Sequence, residues 1–306
     1  MGRLKIKKSL NHTFTFKSLV PSIFEKLHWF HRQLYPFLLK FAGVVCIVIF
    51  TIWGLKEVWN TLTDLSIFKV NPATLTFNVP PWMDNRFSED IKQVEALHRH
   101  YSLYERDIAN RIATIYGDMV VIKKVDVVKR VFPNKLNIRF TMRRPFALIK
   151  KGENSYLVDE EGVLLPKEYY KFSDVDYISP YIQSRRLSRL PLPGKEWNDK
   201  KIKAGVALVK FLRINNIHNL FGIVTVDVTN VHREKYSRGS DIILWTENNT
   251  QIRWGCSSLF KSPDELTDEE KLQNLLSIAK IEGTSLKQME YVDVRWSKPV
   301  GKRWGN

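Results

Sequence analysis

From its N-terminus the chain changes hydropathy pattern twice. Residues 1–33 are polar and basic. An apolar run, "LYPFLLKFAGVVCIVIFTIWGL", fills 34–55 with Lys40 as its one charge. Beyond it, apolar positions recur at helix or strand spacing, as in a chain that folds around a core. The run reaches the ~20 residues a bilayer span needs. Lys40 near one end can lift its ammonium to the headgroups while its stem stays in the apolar layer. Trp53 and Trp59 suit the opposite interface, and Tyr35 the first. A cleavable leader would have a short basic region and a small-x-small site after the run, and neither is seen.

The pattern after the run predicts a first group of elements. "NPATLTFNV" (71–79) alternates Leu75, Phe77 and Val79 with polar residues and reads as a strand. Ser88 is placed to cap a helix with Ile91, Val94 and Leu97 on its apolar face. A second helix runs from about Tyr104 to Tyr116 on Ile108, Ile112 and Ile115, with Gly117 as its stop. "MVVIKKVDVVKRV" reads as a strand with Val125 and Val127 on one face. Pro133-Asn134 turns it back into Leu136, Ile138, Phe140 and Met142, which alternate with Asn137, Arg139, Thr141 and Arg143. Pro145 closes this hairpin.

A second group comes after it. "FALIK", "SYLVD" and "GVLLP" read as short strands, and 167–196 as irregular. A helix from Asn198 to about Asn215 carries Ile202, Val206, Val209 and Leu212. "FGIVTVDV", "DIILWT" and "TQIRWG" read as strands, the last two joined by an Asn248-Asn249 turn. Thr267 and Glu270 make a capping box for a helix bearing Leu272, Leu275, Leu276 and Ala279, which Gly283 ends. The closing strand is "EYVDVRW", with Val292, Val294 and Trp296 opposite Tyr291, Asp293 and Arg295. The fold class is therefore α+β: one apolar N-terminal helix, a small β-α-α-β-β group, and a mixed α/β part with an antiparallel-rich sheet.

Charge refines the topology. The 306 residues carry a formal net charge of +16. A balance this basic calls for an anionic partner such as nucleic acid, lipid headgroups or an acidic polymer. Upstream of the apolar run stand Arg3, Lys5, Lys7, Lys8, Lys17, Lys26 and Arg32 against Glu25, while downstream charges nearly cancel. The positive-inside rule then keeps the N-terminus in the cytoplasm and exports the residues beyond the run. That makes nucleic acid a poor partner for the bulk of the chain. The N-terminal cations suit anionic lipid. Cys46 and Cys256 sit far apart in different contexts, which is neither a disulfide framework nor a zinc site.

Chemistry-bearing motifs are scarce. The chain lacks G-x-S-x-G, H-E-x-x-H, G-x-x-x-x-G-K and G-x-G-x-x-G. His98 and His100 point to different helix faces and cannot chelate together. "VDEEG" (158–162) clusters three carboxylates beside Gly162, and a solvated turn is the simpler reading than a cation site. Asp264, Asp268, Glu269 and Glu270 approach a helix N-terminus, where negative charge is favourable. Trp245, Trp254 and Trp296 fall in strands and suit a core. Trp304, beside Lys302 and Arg303 near the C-terminus, is a candidate interface anchor. The expectation is no enzyme, no catalytic residues, no metal and no cofactor.

Three stretches carry a resemblance: "VKRVFPNKLNIRFTMRRPFALI", "YLVDEEGVLLP", and "EKLQNLL" followed by "YVDVRW". With the topology, they resemble the FtsQ/DivIB bacterial cell-division proteins. Arg143 stands where that family usually has Glu, and "VPPWMDNR" replaces its usual short strand ending. The resemblance implies a basic cytoplasmic tail (1–33), a transmembrane signal anchor (34–55), a polypeptide-transport-associated (POTRA) domain (65–146), a β domain (147–297) and a C-terminal tail (298–306). It implies a septal scaffold of the inner membrane, with its bulk in the periplasm, that holds FtsB-like and FtsL-like small coiled-coil division proteins and other divisome components. The mechanism it implies is strand addition to the exposed edge of the closing strand. Tyr291, Asp293, Arg295 and Trp296 would form or flank that edge, and Trp304 would lie near it. Two other readings compete. One is a POTRA-containing secretion or assembly factor, which as a rule leads into a large β-barrel that this pattern does not supply. The other is a membrane-anchored envelope enzyme acting on an acidic glycan, for which no nucleophile or metal set is found.

Overall fold

The apolar run lies inside a single helix, α1 (Leu19–Thr63), that is longer than 34–55 at both ends. This computed structural model describes residues 19–72, 80–171, 178–231, 240–260 and 265–305. It divides into two units, residues 1–66 and 67–306, each taken by itself below. Within Leu34–Thr63 of α1 the most apolar 18 residues have a mean hydropathy of 2.3, and none of them is buried in protein. Length and composition allow it to cross a membrane. The helix continues past Leu55 because "KEVWNTLT" contains no breaker, and Pro36 is accommodated within it.

In the second unit the early elements are shorter than the pattern predicts. β1 (Lys69–Val70) pairs antiparallel with β2 (Tyr101–Ser102). Of the strand expected over 71–79, residues 73–79 lie outside the described residues, and Asn71 and Pro72 are not in a strand. α2 (Arg86–Gln93) begins after Asn85, so Ser88 sits inside it and does not cap it. Val94 is already extended, and a 3-10 turn, Glu95–Leu97, comes next. Ile91 and Leu97 are still buried. α3 (Ile108–Gly117) starts later than Tyr104, includes Gly117 and buries Ile108, Ile112 and Tyr116, each four residues from the next.

β3 (Ile122–Val131) and β4 (Lys135–Met142) form the predicted hairpin. β4 alternates as read, with Leu136 buried and Ile138, Phe140 and Met142 half-buried. The face assigned to β3 needs correction. A register shift between Val125 and Val127 puts Val125 opposite Phe140 and Val128 opposite Ile138. An extra residue in one strand flips the side-chain alternation beyond it. Val125 and Val128, not Val125 and Val127, therefore join the core.

The rest builds one nine-stranded sheet. Its strands are β5 (Ala147–Lys151), β6 (Asn154–Val158), β7 (Leu164–Leu165), β8 (Tyr181–Gln183), β9 (Ile223–Asp227), β10 (Ile242–Thr246), β11 (Gln251–Gly255), β12 (Met289–Asp293) and β13 (Val300–Arg303). The spatial order is β13-β12-β11-β10-β9-β8-β5-β6-β7. Three neighbouring pairs are parallel and five antiparallel. β8 lies within 167–196, read as irregular, yet it occupies the middle of the sheet. Three residues are too few to show a period.

Helices α4 (Lys200–Ile214) and α6 (Asp268–Glu282) make the two crossovers between parallel neighbours, β8 to β9 and β11 to β12. Between α4 and β9 lies a single turn, α5 (Ile217–Leu220). Asp199 caps α4, accepting from the Lys201 N–H at 2.8 Å. The predicted Thr267–Glu270 capping box opens α6, and Gly283 closes it at φ 79°. Gly205 lets α4 lie directly on β8, since a Cβ there would stand 2.8 Å from Ile182 Cγ2.

Two cores meet at β5–β7. Ala147, Ile149, Val158 and Leu164 point to the core shared with α4 and α6. Leu148, Leu157 and Leu165, which pair across the strands, point to the core of α2, α3 and the β3–β4 hairpin. The boundary drawn at 146/147 thus runs along a sheet that serves both sides. The "VDEEG" turn lies at this junction and is not simply solvated. Asp159 is only 2% exposed. It accepts from Arg143 at 2.5 Å and from the backbone N–H of Glu161 and Val163, both at 2.9 Å. Glu160 and Glu161 remain accessible and pair with Lys123.

Candidate partner-binding edge

The closing strand of the sequence pattern is not the last strand of the sheet. β12 is hydrogen-bonded on both sides, parallel to β11 and antiparallel to β13. The free edge belongs to β13, in the segment expected to be a tail (298–306). "VGKR" offers one β-branched residue and a glycine, so neither propensity nor alternation marks it. Its glycine has a packing reason: a Cβ at Gly301 would stand 2.3 Å from Cε of Met289, which is buried on β12.

The predicted residues divide by position. Tyr291 and Asp293 have their backbones paired on β12, opposite Lys302 and Val300. Tyr291 lies under the guanidinium of Arg253 on β11, 3.7 Å from the ring centroid. Arg295, past the strand end, grips Asp293 with two prongs, Nε to Oδ1 at 2.9 Å and Nη2 to Oδ2 at 2.7 Å. That bond is the main reason its guanidinium holds its proton more tightly than an ordinary arginine. Trp296 is in the bend between β12 and β13 and is 46% exposed. Asn274 of α6 fixes this bend, donating to the carbonyls of Val294 and Trp296 at 3.2 and 2.8 Å. Trp304, 56% exposed, comes directly after β13. Arg253, Asn274, Glu282 and β13 itself went unread in the sequence, because each acts through a contact distant along the chain.

β13 is pinned from one side only. Lys302 pairs with Glu290 at 2.7 Å, and Arg303 with Glu282 at the end of α6 at 2.8 Å. The N–H of Trp304 donates to the Gln288 carbonyl at 3.0 Å. Backbone groups alternate in direction along a strand, so Trp304, Lys302 and Val300 face β12, and Arg303 and Gly301 face outward. Among the described residues no backbone bond reaches that outer side. The opposite edge differs. β7 is covered by 194–196, with Leu164 N–H on the Lys195 carbonyl at 3.0 Å and Gly194 N–H on the Leu164 carbonyl at 2.8 Å.

Behind the edge sits a polar cluster that joins Cys256, just after β11, to Glu265 and Lys271. Lys271 is buried and donates to the Cys256 carbonyl at 3.1 Å and to Glu265 Oε2 at 3.2 Å. The Cys256 thiol points to Asp241 at 3.2 Å, and burial pushes it up to about 12. A thiol held protonated is a poor nucleophile. Trp254, fully buried, donates to Asp268 at 2.8 Å, in keeping with the core reading of that tryptophan. Among the described residues no group of His, Cys, Asp and Glu is arranged to hold a metal ion.

In the first unit Lys40, Trp53 and Trp59 all project from α1 and are exposed. At 1.5 Å rise, Lys40 and Trp59 stand about 28 Å apart along the helix and Lys40 and Trp53 about 20 Å. Only the first spacing matches the ~30 Å hydrocarbon layer.

No protein-family model matches this chain, and no curated protein does.

Proposed function

We propose that the chain is a single-pass inner-membrane scaffold of bacterial cell division, of the FtsQ/DivIB kind. In this reading α1 is the signal anchor, and the α2, α3 and β3–β4 group is its POTRA domain. The nine-stranded sheet is a periplasmic β domain whose partners are FtsB-like and FtsL-like coiled-coil proteins. The partner's segment adds as a tenth strand to β13, with the exposed Trp296 and Trp304 as side-chain anchors at the two ends of that strand. Tyr291, Asp293 and Arg295 support the edge from behind.

One observation carries the reading: among the described residues the sheet has one covered edge and one open edge. An exposed strand edge is a template for pairing, and soluble domains normally cap it. Here β7 is capped and β13 is not, and tryptophans flank the open one.

Two variants of Arg303 test it. Arg303→Ala and Arg303→Pro both lose the bond to Glu282, but only proline also removes the outward N–H. Full-length protein is co-expressed with the host's small coiled-coil division proteins and purified through a tag. Arg303→Ala should retain the partner and Arg303→Pro should lose most of it. Equal capture by both variants would refute strand addition at β13. Failure of the unsubstituted chain to capture the partner, with a uniform envelope signal from a fluorescent fusion, would refute the division role.

A further inference from the structure

We propose that the tip of the β3–β4 hairpin is a second membrane contact, an aromatic and cationic foot resting in the headgroup layer of the bilayer that α1 crosses. The inference depends on the reading of α1 as a span.

Turn residues between strands are usually small and polar. This tip instead presents Val131 at 42% and Phe132 at 60% exposure. Phe132 packs its ring edge-on to Phe68 at 6.2 Å and to Tyr104 at 5.4 Å, which are themselves edge-on at 5.1 Å. Ile67, 54% exposed, adjoins Phe68 in the chain. Lys129, Arg130 and Lys135 surround the apolar tip and are all exposed. Among the described residues none of the three makes an ion pair. Arg130 donates to the Arg106 carbonyl at 2.7 Å, a neutral acceptor that aims its guanidinium. Aromatic and aliphatic side chains ringed by cations match the boundary between acyl chains and anionic headgroups.

Chain length names the occupant. Phe68 lies five positions after Thr63, the last residue of α1. A chain spans at most ~3.6 Å per residue, so Phe68 stays within ~18 Å of the helix end at any angle between helix and fold. Phe132 rests on Phe68 and shares that tether.

The test uses full-length protein in nanodiscs of phosphatidylglycerol and phosphatidylcholine, in a Cys46→Ser, Cys256→Ser background. Nitroxide labels are placed singly at Phe132→Cys, Asn134→Cys, Val48→Cys and, for the aqueous reference, Glu153→Cys. Collision with oxygen and with a water-soluble nickel chelate is read by power saturation. The expected result is a several-fold higher oxygen-to-nickel ratio at 132 and 134 than at 153. Lys129→Glu, Arg130→Glu and Lys135→Glu together should erase it. A water-like ratio at both tip positions with a lipid-like ratio at 48 overturns the proposal and leaves the span intact. Shielding of both tip positions from both reagents means a protein contact and also overturns it. A water-like ratio at 48 removes the span reading itself.

Discussion

Asp293 and Arg295, two residues apart, close on each other through both carboxylate oxygens where β12 ends. Both side chains are largely buried, at 9% and 13% exposure. Asp293 also accepts the Arg295 N–H at 3.2 Å, so the pair turns the chain toward β13 as well as neutralising charge. Asp293→Asn keeps the shape but takes away the charge on the carboxylate that grips the guanidinium, leaving only the more distant Glu265 and Asp241 to balance it. Hydrogen bonds to charged groups contribute about 1.5–3 kcal/mol, and the loss should fall in that range. Hydrogen exchange should show it locally: amides of 288–304 exchange faster, while those of α3 keep their protection.

Leu157 and Val158 are neighbours that serve different cores. Both are fully buried. Leu157→Ala should cost about 3 kcal/mol, within the usual range for a buried leucine. Exchange should rise first in α2, α3 and the β3–β4 hairpin. Val158→Ala removes less volume and should loosen α4 and β9 first. Identical exchange patterns from the two variants would contradict the division of the sheet between two cores.

That division explains what the sequence could and could not convey. α4, α6 and β4 were legible because each buries one face, so periodicity and caps agreed with the tertiary contacts. "ALI", "YLV" and "VLL" read as strands only by length, since a strand buried on both faces shows no alternation. β8 and β13 were missed because they are short and held mainly by neighbours brought from elsewhere. The error in β3 came from one bulge, which local pattern does not announce. At the candidate edge, Tyr291, Asp293, Arg295, Trp296 and Trp304 all cluster around β12 and β13. Which strand lay outermost depended on Gly301 and Met289 fitting together, a relation between residues twelve positions apart.

The junction turn should respond to pH from both ends. Hydrogen bonds from Lys123 hold Glu160 and Glu161 below the ordinary glutamate value of 4.5. Their contribution is present above 4.5 and disappears as the pH falls through the depressed values. Lys123 is raised above 10.5, chiefly by its bond to Glu160. Its contribution is present below 10.5 and is lost as the pH rises through the raised value. The tie between β3 and the turn is therefore complete across the neutral range. The glutamates are exposed and Lys123 is partly so, and each pair contributes under about 1 kcal/mol. Carboxyl carbon shifts followed by NMR should give depressed glutamate midpoints that rise in Lys123→Ala, with Glu161 still held down in part because Arg143 continues to donate to it at 3.1 Å.

Cys256 offers a probe of the cluster behind the edge. Its thiol is raised from 9.0 to about 12 by burial first and then by its bond to Asp241. At pH 8 the thiolate should be about a thousand-fold scarcer than at a free cysteine, and alkylation correspondingly slower. Measured in Cys46→Ser protein with iodoacetamide, Cys256 should stay unmodified over hours in the folded state and react promptly in urea. Asp241→Asn removes a carboxylate that disfavours the thiolate and should speed labelling without unfolding the sheet. Asp293→Asn acts on the other side of the cluster, where Arg295 lies against the backbone of Gly255. If the Cys256, Glu265 and Lys271 cluster and the terminal hairpin move as one body, that variant should speed labelling of Cys256 too. Unchanged labelling there, alongside faster exchange in 288–304, would mean that the edge opens while the cluster around Cys256 stays closed.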